Sequence, residues 1–321
     1  MKSANPDISI VIVSFNTKNL TKSCVESVLK YTRGVNLEII IVDNASTDGS
    51  VEEIQKFTKK QKETHLLKNR KNLGFGGGNN LGMKRAKGKY ILLLNSDTKL
   101  HEDSISKMVQ WMDNNNNVGM STCKLTNPNG TTQANGGFFP TLPRLLLWTT
   151  FLDDLPLVGQ LFGSYHMNTK GIMGDNSSYE KTHPQDWISG AFMMLRRTVF
   201  ENMGGFRKDI FMYAEDVEYC YRIKKAGVQI QYAPITSITH IGSASSGGET
   251  VKFIDTSMGK ESSILGEFKG LSLFYKIHFP MYQSVARILL KFGALLRIIV
   301  FGFFLGQKPA IRIYAKAFQV S

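Results

Sequence analysis

Three apolar runs in the first hundred residues constrain the fold more than any other feature of the chain. ISIVIVSFN (8–16), LEIIIVDNAS (37–46) and KYILLLNSDT (89–98) are nearly unbroken aliphatic stretches rich in β-branched side chains. A strand with one face in water alternates apolar and polar residues, so runs like these belong to central parallel strands covered on both faces. Between them lie helical patterns. One covers about Leu20–Tyr31, with Val25, Val28 and Leu29 on one side; the other is SVEEIQKFTKK (50–60), with acids early and bases late, as the helix dipole favours. A short edge strand around His65–Leu67 leads into the glycine-rich GFGGGNNLG (74–82), with a helix expected from near Asn79. This alternation predicts an α/β fold with a doubly wound, mostly parallel sheet whose ligands sit at the carboxyl ends of its strands.

The rest of the chain is less regular. A helix near 103–113 should end in the Asn114–Asn117 turn. The glycines, prolines and apolar LLLWTTFL between about 136 and 180 predict an excursion that could cover one side of a site. Regular structure should resume at DWISGAFMMLRRTVFENMGGF (186–206), the helix AEDVEYCYRIKKAG (214–227) and the strand VQIQYAP (228–234), and no internal repeat is present.

Over 321 residues, 42% hydrophobic and 20% charged composition supports a large core and excludes a disordered or collagen-like chain and a polytopic membrane protein. Cys24, Cys123 and Cys220 are too far apart for metal spacing and fit reduced, partly buried thiols of a cytosolic protein. The N-terminal segment lacks signal-peptide architecture. The net charge of +13 is concentrated: after Glu267 there is no acid, but Lys269, Lys276, Arg287, Lys291, Arg297, Lys308, Arg312 and Lys316 follow. VARILLKFGALLRIIVFGFFL (285–305) is apolar but broken by three cations, too often for the roughly 18 uninterrupted residues of a spanning helix. On a helical wheel Arg287, Lys291 and Arg297 share an arc of about 120°. That pattern predicts a helix lying in a membrane interface with its cations towards lipid phosphates; the alternative is a terminal helix packed on the core. Pro309 should break or kink it. Zinc-finger spacing and an aromatic-glycine RNA-binding signature are both missing, which argues against nucleic acid.

Several familiar motifs fail. GFGGGNNLG is not G-x-G-x-x-G, GKY (88–90) is not a P-loop, His101-Glu102 has no second zincin His, and no Gly-x-Ser-x-Gly elbow occurs. What remains is polar residues at strand ends. Asp43 closes the second run and Asp97 the third, Glu215 and Asp216 open a helix after FMY, and His240 follows the last strand. Each could be a cap or turn former alone. Gathered on one rim, these carboxylates and the imidazole make a plausible acidic site.

Through IVIVSFN, EIIIVDNASTDGS, NLGFGGGNNLG, YILLLNSDT, WISGAFMMLRR and GGFRKDIFMYAEDVEYCYR, as far as His240, the chain resembles the inverting family 2 glycosyltransferases, in particular bacterial rhamnosyltransferase-like members. The resemblance covers about residues 8–245 and implies a GT-A, Rossmann-like domain. Residues 1–245 would form that domain, 1–100 its nucleotide half and 101–245 its acceptor half, with 246–321 a basic amphipathic region associating with membrane. It implies nucleotide-sugar contacts from Ser14, Asn16, Asp43, Asn72, Gly74, Asn79, Ser96 and Asp97, the glycines letting backbone approach the nucleotide. Asn95-Ser96-Asp97 occupies the family's Asp-x-Asp site with Asn95 in place of the first Asp, so Asp97, joined by His240, would hold Mg2+ or Mn2+. Asp216 would be the general base, Glu215 and Gly190 would face the acceptor, and Trp187 would either stack on a sugar or pack in the core.

The implied activity is transfer of a hexose, L-rhamnose from dTDP-rhamnose, to a lipid-linked glycan on the inner face of the plasma membrane. A UDP-hexose or UDP-galactofuranose donor stays open within the family. A nucleotidyltransferase, releasing pyrophosphate, and a non-catalytic membrane module are the readings from other classes.

Overall fold

The computed structural model describes residues 5–167, 179–242 and 258–321. Its first half follows the apolar runs: β1 (Ile8–Ser14), α1 (Lys18–Tyr31), β2 (Leu37–Asp43), α2 (Ser50–Thr58), β3 (Thr64–Lys68), α3 (Gly74–Arg85) and β4 (Tyr90–Leu94). The four strands are parallel in the order β3-β2-β1-β4. Ile8, Ile10, Ile12, Ile39, Ile41 and Leu92 face one hydrophobic layer with α1. Val11, Ile40, Val42, Ile91 and Leu93 face the other with α3. Both faces of each strand are therefore dry, which is why the sequence shows no alternation.

α3 begins at Gly74, five residues before the expected start. Its glycines bring the helix close to β1. An added Cβ would lie 2.8 Å from Val13 at Gly78 and 2.2 Å from Val11 at Gly82, while at Gly76 it would meet Phe206 at 2.8 Å. Protein therefore takes the space that a phosphate-cradling loop would leave open.

The second half contains β5 (Thr98–Lys99), α4 (Ser104–Asn114), β6 (Val118–Thr126), β7 (Thr132–Gln133), α5 (Leu142–Thr149), α6 (Pro156–Phe162), β8 (His183–Pro184), β9 (Phe192–Arg196), α7 (Arg197–Met203), α8 (Glu215–Lys225) and β10 (Gln229–His240). β9 enters antiparallel to both β4 and β6. β10 runs parallel to β6 and well past the expected 228–234, absorbing a register irregularity between Tyr232 and Ser237 around Pro234, which has no N–H to donate. Its last two residues pair antiparallel with β5, setting His240 against Thr98. That short pairing carries His240 to the end of β4.

Beyond 257 come α9 (Met258–His278), α10 (Gln283–Arg297), a π-helical continuation over Ile298–Phe304, and α11 (Lys308–Val320). The expected boundary at 245/246 lies outside the described residues. Phe268, Leu271, Phe274, Tyr275, Leu290, Ala294 and Ala317 share one core with Val217, Tyr219 and Trp187. Pro309 sits in the first turn of α11, where its missing N–H costs nothing, instead of kinking one long helix. Arg297 also departs from expectation: it is 6% exposed and faces the protein. Its guanidinium donates to the carbonyls of Trp148, Thr149 and Gly293 and stacks on Trp148 and Phe151. Three carbonyls and two rings enclose this cation within the protein, so it does not face a lipid surface. Met281, in the turn just before α10, and Val285, Ile288, Phe292, Leu295, Ile299 and Phe303 along α10 and its continuation, spaced three or four apart, stay exposed. Among the described residues no helix is long and apolar enough to cross a membrane.

Candidate functional site

Loops at the carboxyl ends of β1 and β2 are laced together. Asn16 takes a left-handed backbone (φ 53°), its N–H donating to Ser46 Oγ while its Oδ1 accepts from the Thr47 N–H. Asp43 ends β2, 1% exposed, and one of its oxygens accepts from the Ser46 N–H. The other, Oδ1, is buried with no hydrogen-bond partner among the described residues. A buried carboxylate oxygen left this way costs about 1–3 kcal/mol, so this atom is poised for a ligand donor. Ser14 turns inward, its hydroxyl tied to Thr17 and Thr21, and Ser96 meets Thr17 at 3.2 Å. Asn72 Oδ1 accepts from Asn44 Nδ2 and the Gly74 N–H, shaping the turn into α3. Gly74 has φ 73°, and a Cβ there would fall 2.0 Å from the Phe211 carbonyl oxygen. Asn79 is buried and donates to the Phe75 carbonyl one turn back. Asn16 and Asp43 thus line the strand ends, whereas Ser14, Asn72, Gly74 and Asn79 serve the surrounding architecture.

Next to this rim opens a cavity of about 360 Å³ whose lining includes Asn95, Asp97, Trp187, Gly190, Glu215, Asp216 and His240. On one side Asp97, 3% exposed, places Oδ1 3.3 Å from His240 Nε2, and Asn95 Nδ2 lies 3.2 Å from the same nitrogen. No group of three or more His, Cys, Asp or Glu side chains forms a metal cluster among the described residues. One hard carboxylate oxygen and one imidazole nitrogen nevertheless suit a divalent cation that completes its shell with diphosphate and water oxygens.

The opposite wall starts at α8, where Tyr213 (φ 70°) and Ala214 (φ 64°) are both left-handed. Such backbone costs about 1–3 kcal/mol per residue and persists only when its surroundings enforce it. α9 does so: a Cβ on Gly266 would come within 2.6 Å of the Tyr213 ring, and one on Gly270 within 2.6 Å of the Tyr213 carbonyl oxygen. The turn delivers Asp216 to the cavity, its carboxylate accepting from the backbone N–H of Val217 at 2.9 Å and of Gly190. Burial raises Asp216 to about 6, against the pull of those N–H groups and of nearby His166. Burial, then repulsion from Asp216, holds Glu215 well above the usual carboxylate range. Its Oε2 is buried without a partner among the described residues.

Gly190 makes room for Phe75, whose ring would lie 2.5 Å from an added Cβ. Trp187 is 5% exposed, its indole N–H shared between the Phe138 and Tyr165 carbonyls. Of its two expected roles, core packing accounts for most of its surface.

Sequence reasoning missed His166 and Glu267, which also line the cavity and pair at 2.6 Å, Nε2 to Oε1. Burial opposes a charged His166, but the Glu267 carboxylate, with Asp216 and Asp153, prevails and raises its pKa. The available signals were Glu267 as the last acid before the basic tail and the Gly266-x-x-x-Gly270 spacing, which marks close helix contact.

The profile of glycosyl transferase family 2 matches residues 9–204. The low-salt glycan biosynthesis hexosyltransferase Agl10 of Haloferax volcanii is 24% identical over 73% of this chain and 67% of its own. The rhamnosyltransferase WbbL of Escherichia coli is 24% identical over 52% of this chain and 60% of its own. The chain spans less than two thirds of the length of several curated relatives it matches. The fold is similar to that of the mannosyltransferase PcManGT from Pyrobaculum calidifontis, solved with GDP-Man and Mn2+, at TM-score 0.58 and 13% identity over 99% of this chain and 86% of that one.

Proposed function

The chain belongs to glycosyl transferase family 2, and we propose that it is an inverting hexosyltransferase using a nucleotide-sugar donor, dTDP-rhamnose, on a lipid-linked glycan acceptor. The observation that carries the chemistry is one cavity holding Asp97 and His240 on one wall and a backbone-anchored Asp216 on the other. The Asp43 Oδ1 accepts a hydrogen bond from the donor's base or ribose, and Asn16 stands on the neighbouring loop, tied to Ser46 and Thr47. Asp216 takes the proton of the acceptor hydroxyl while that oxygen bonds to the anomeric carbon. The bond from that carbon to the diphosphate oxygen breaks on the far face, its electron pair leaving with the nucleoside diphosphate, so the configuration inverts. Asp97 and His240 would hold a Mg2+ or Mn2+ ion that neutralises charge on the leaving diphosphate. Glu215, its pKa raised by burial and by Asp216, binds an acceptor hydroxyl through its unpartnered Oε2. Mn2+ bound by the structural neighbour and the rhamnosyl activity named for WbbL support the metal and the sugar.

The exposed stripe from Met281 to Phe303 supports a lipid surface as the place of work, with Lys and Arg of the tail adding about 1 kcal/mol each near an anionic leaflet. Arg297 takes no part in that contact, and Arg287, donating to the Ser321 carbonyl, and Lys291, over the Phe318 ring, are turned towards α11.

A panel of nucleotide sugars with Mn2+ and a lipid-linked acceptor extract, read by mass spectrometry, tests the proposal. Expected are a deoxyhexose added to the acceptor and free dTDP. A hexose from a UDP-sugar replaces the donor alone, and released pyrophosphate makes the chain a nucleotidyltransferase. Co-sedimentation with anionic vesicles should exceed that with neutral ones and fall with salt; protein left in the supernatant with both removes the lipid reading.

A further inference from the structure

His240 is held from behind as well as from the cavity. Its Nδ1 lies 2.7 Å from Gln133 Oε1 on β7, and the orientation of that amide is decided by its other end. Gln133 Nε2 faces two acceptors, Asn127 Oδ1 at 3.1 Å and the His240 backbone carbonyl at 3.3 Å. A carbonyl cannot be flipped, so the nitrogen of Gln133 must point that way and its oxygen towards the imidazole. Asn127 is fixed in turn: its Nδ2 donates to Thr131 Oγ1, which donates to Asn129 Oδ1. Among the described residues, the hydrogen that satisfies Gln133 Oε1 is one on Nδ1. In the neutral ring Nε2 then carries a lone pair, and Asn95 Nδ2 donates to it at 3.2 Å. Asn95 stands where the family's first Asp would be; Asp97 Oδ1, 3.3 Å from Nε2, would accept a proton there, and the Asn95 amide, unlike a second carboxylate, can donate to that nitrogen and opposes it.

We propose that Gln133 is a positioning residue that fixes His240 as the Nδ1–H tautomer, presenting Nε2 beside Asp97 as a ligand for a divalent cation. This rests on the reading of Asp97 and His240 as metal ligands. Partners of this kind raise ligand basicity and hold ring orientation, and their loss weakens metal binding about 10–100-fold.

The test uses the full-length chain, metal-free and 15N-histidine labelled, at a pH where imidazoles are neutral, with His240 assigned from a His240→Gln spectrum. Two-bond 1H–15N correlations read the tautomer, and Mn2+ alone is then titrated in with free Mn2+ followed by EPR. Wild type should show Nδ1–H. Gln133→Leu should lose that preference and bind Mn2+ at least about tenfold more weakly, whereas Gln133→Glu, which keeps an acceptor for Nδ1–H but sets an oxygen against Asn127 Oδ1 and the His240 carbonyl, should restore both in part. An Nε2–H tautomer in wild type, or unchanged Mn2+ affinity in Gln133→Leu, overturns the inference while leaving the metal reading intact. A wild-type chain that takes up no Mn2+ fails the metal reading itself, and the inference with it. If Gln133→Leu does not fold, the wild-type tautomer and Gln133→Glu still decide.

Discussion

The side of the cleft read as donor-binding draws Asn16, Asp43 and Asp97 from strand ends within the first hundred residues. The facing wall takes Trp187 and Asp216 from two more segments and closes with His166 and Glu267, 101 positions apart. On the first side, a parallel sheet places every strand's carboxyl end on one edge, so position follows directly from topology. On the second, position depends on packing between distant helices: left-handed Tyr213 and Ala214 are held by two glycines of α9. The C-terminal helices are therefore part of the wall that positions Asp216. Buried Glu218 of α8 adds to this, paired with Arg222 on its own helix and with His278 of α9.

If the facing wall supplies the base, Asp216→Asn should lower turnover by about 10²–10⁴-fold with little change in nucleotide binding. Turnover near that of wild type would shift the role to Glu215 and undo the contrast between the two sides. On the donor side, Asp43→Ala removes the buried acceptor. Donor affinity should drop about 10–100-fold, the worth of a charged hydrogen bond, with kcat at saturation little altered. An equal loss in kcat and none in donor affinity, measured by calorimetry, would mean that Asp43 only braces its loop.

Gly270→Val asks whether α9 buttresses the α8 turn. Overpacking of this kind costs about 1–3 kcal/mol, so the melting temperature should fall by several degrees, and transfer should suffer more than nucleotide binding. A variant as stable and active as wild type would show that α9 yields easily and that the tail is separable from the site. The smallest effect is expected from His166→Gln. Asp216 must be ionised to accept a proton, so activity rises with pH through its raised pKa, near 6. Removing the neighbouring cation raises that pKa further, and the acid limb of the pH–rate profile should move to higher pH. A limb that stays in place reduces the His166–Glu267 pair to packing.

What the sequence determined by itself is everything that follows from local pattern. Ile8–Ser14, Leu37–Asp43 and Tyr90–Leu94 read as doubly covered strands because strand burial is written residue by residue, and the carboxylates at their ends came with them. β6 escaped notice because its Ser121 and Thr122 look like surface residues, yet both are buried, with the Thr122 hydroxyl donating to the Phe192 carbonyl. The glycine stretch was legible as backbone needing close approach, but what approaches, β1 and Phe206, was decided by packing. Arg297 shows the same limit: periodicity put it on an arc with Arg287 and Lys291, and only tertiary structure supplied the carbonyls and rings that bury it. The His166–Glu267 pair, the Gly266 and Gly270 contacts and the Gln133 hold on His240 all join residues remote in sequence. Periodicity carries no information about such pairs, because their contacts exist only once the helices have docked on the sheet.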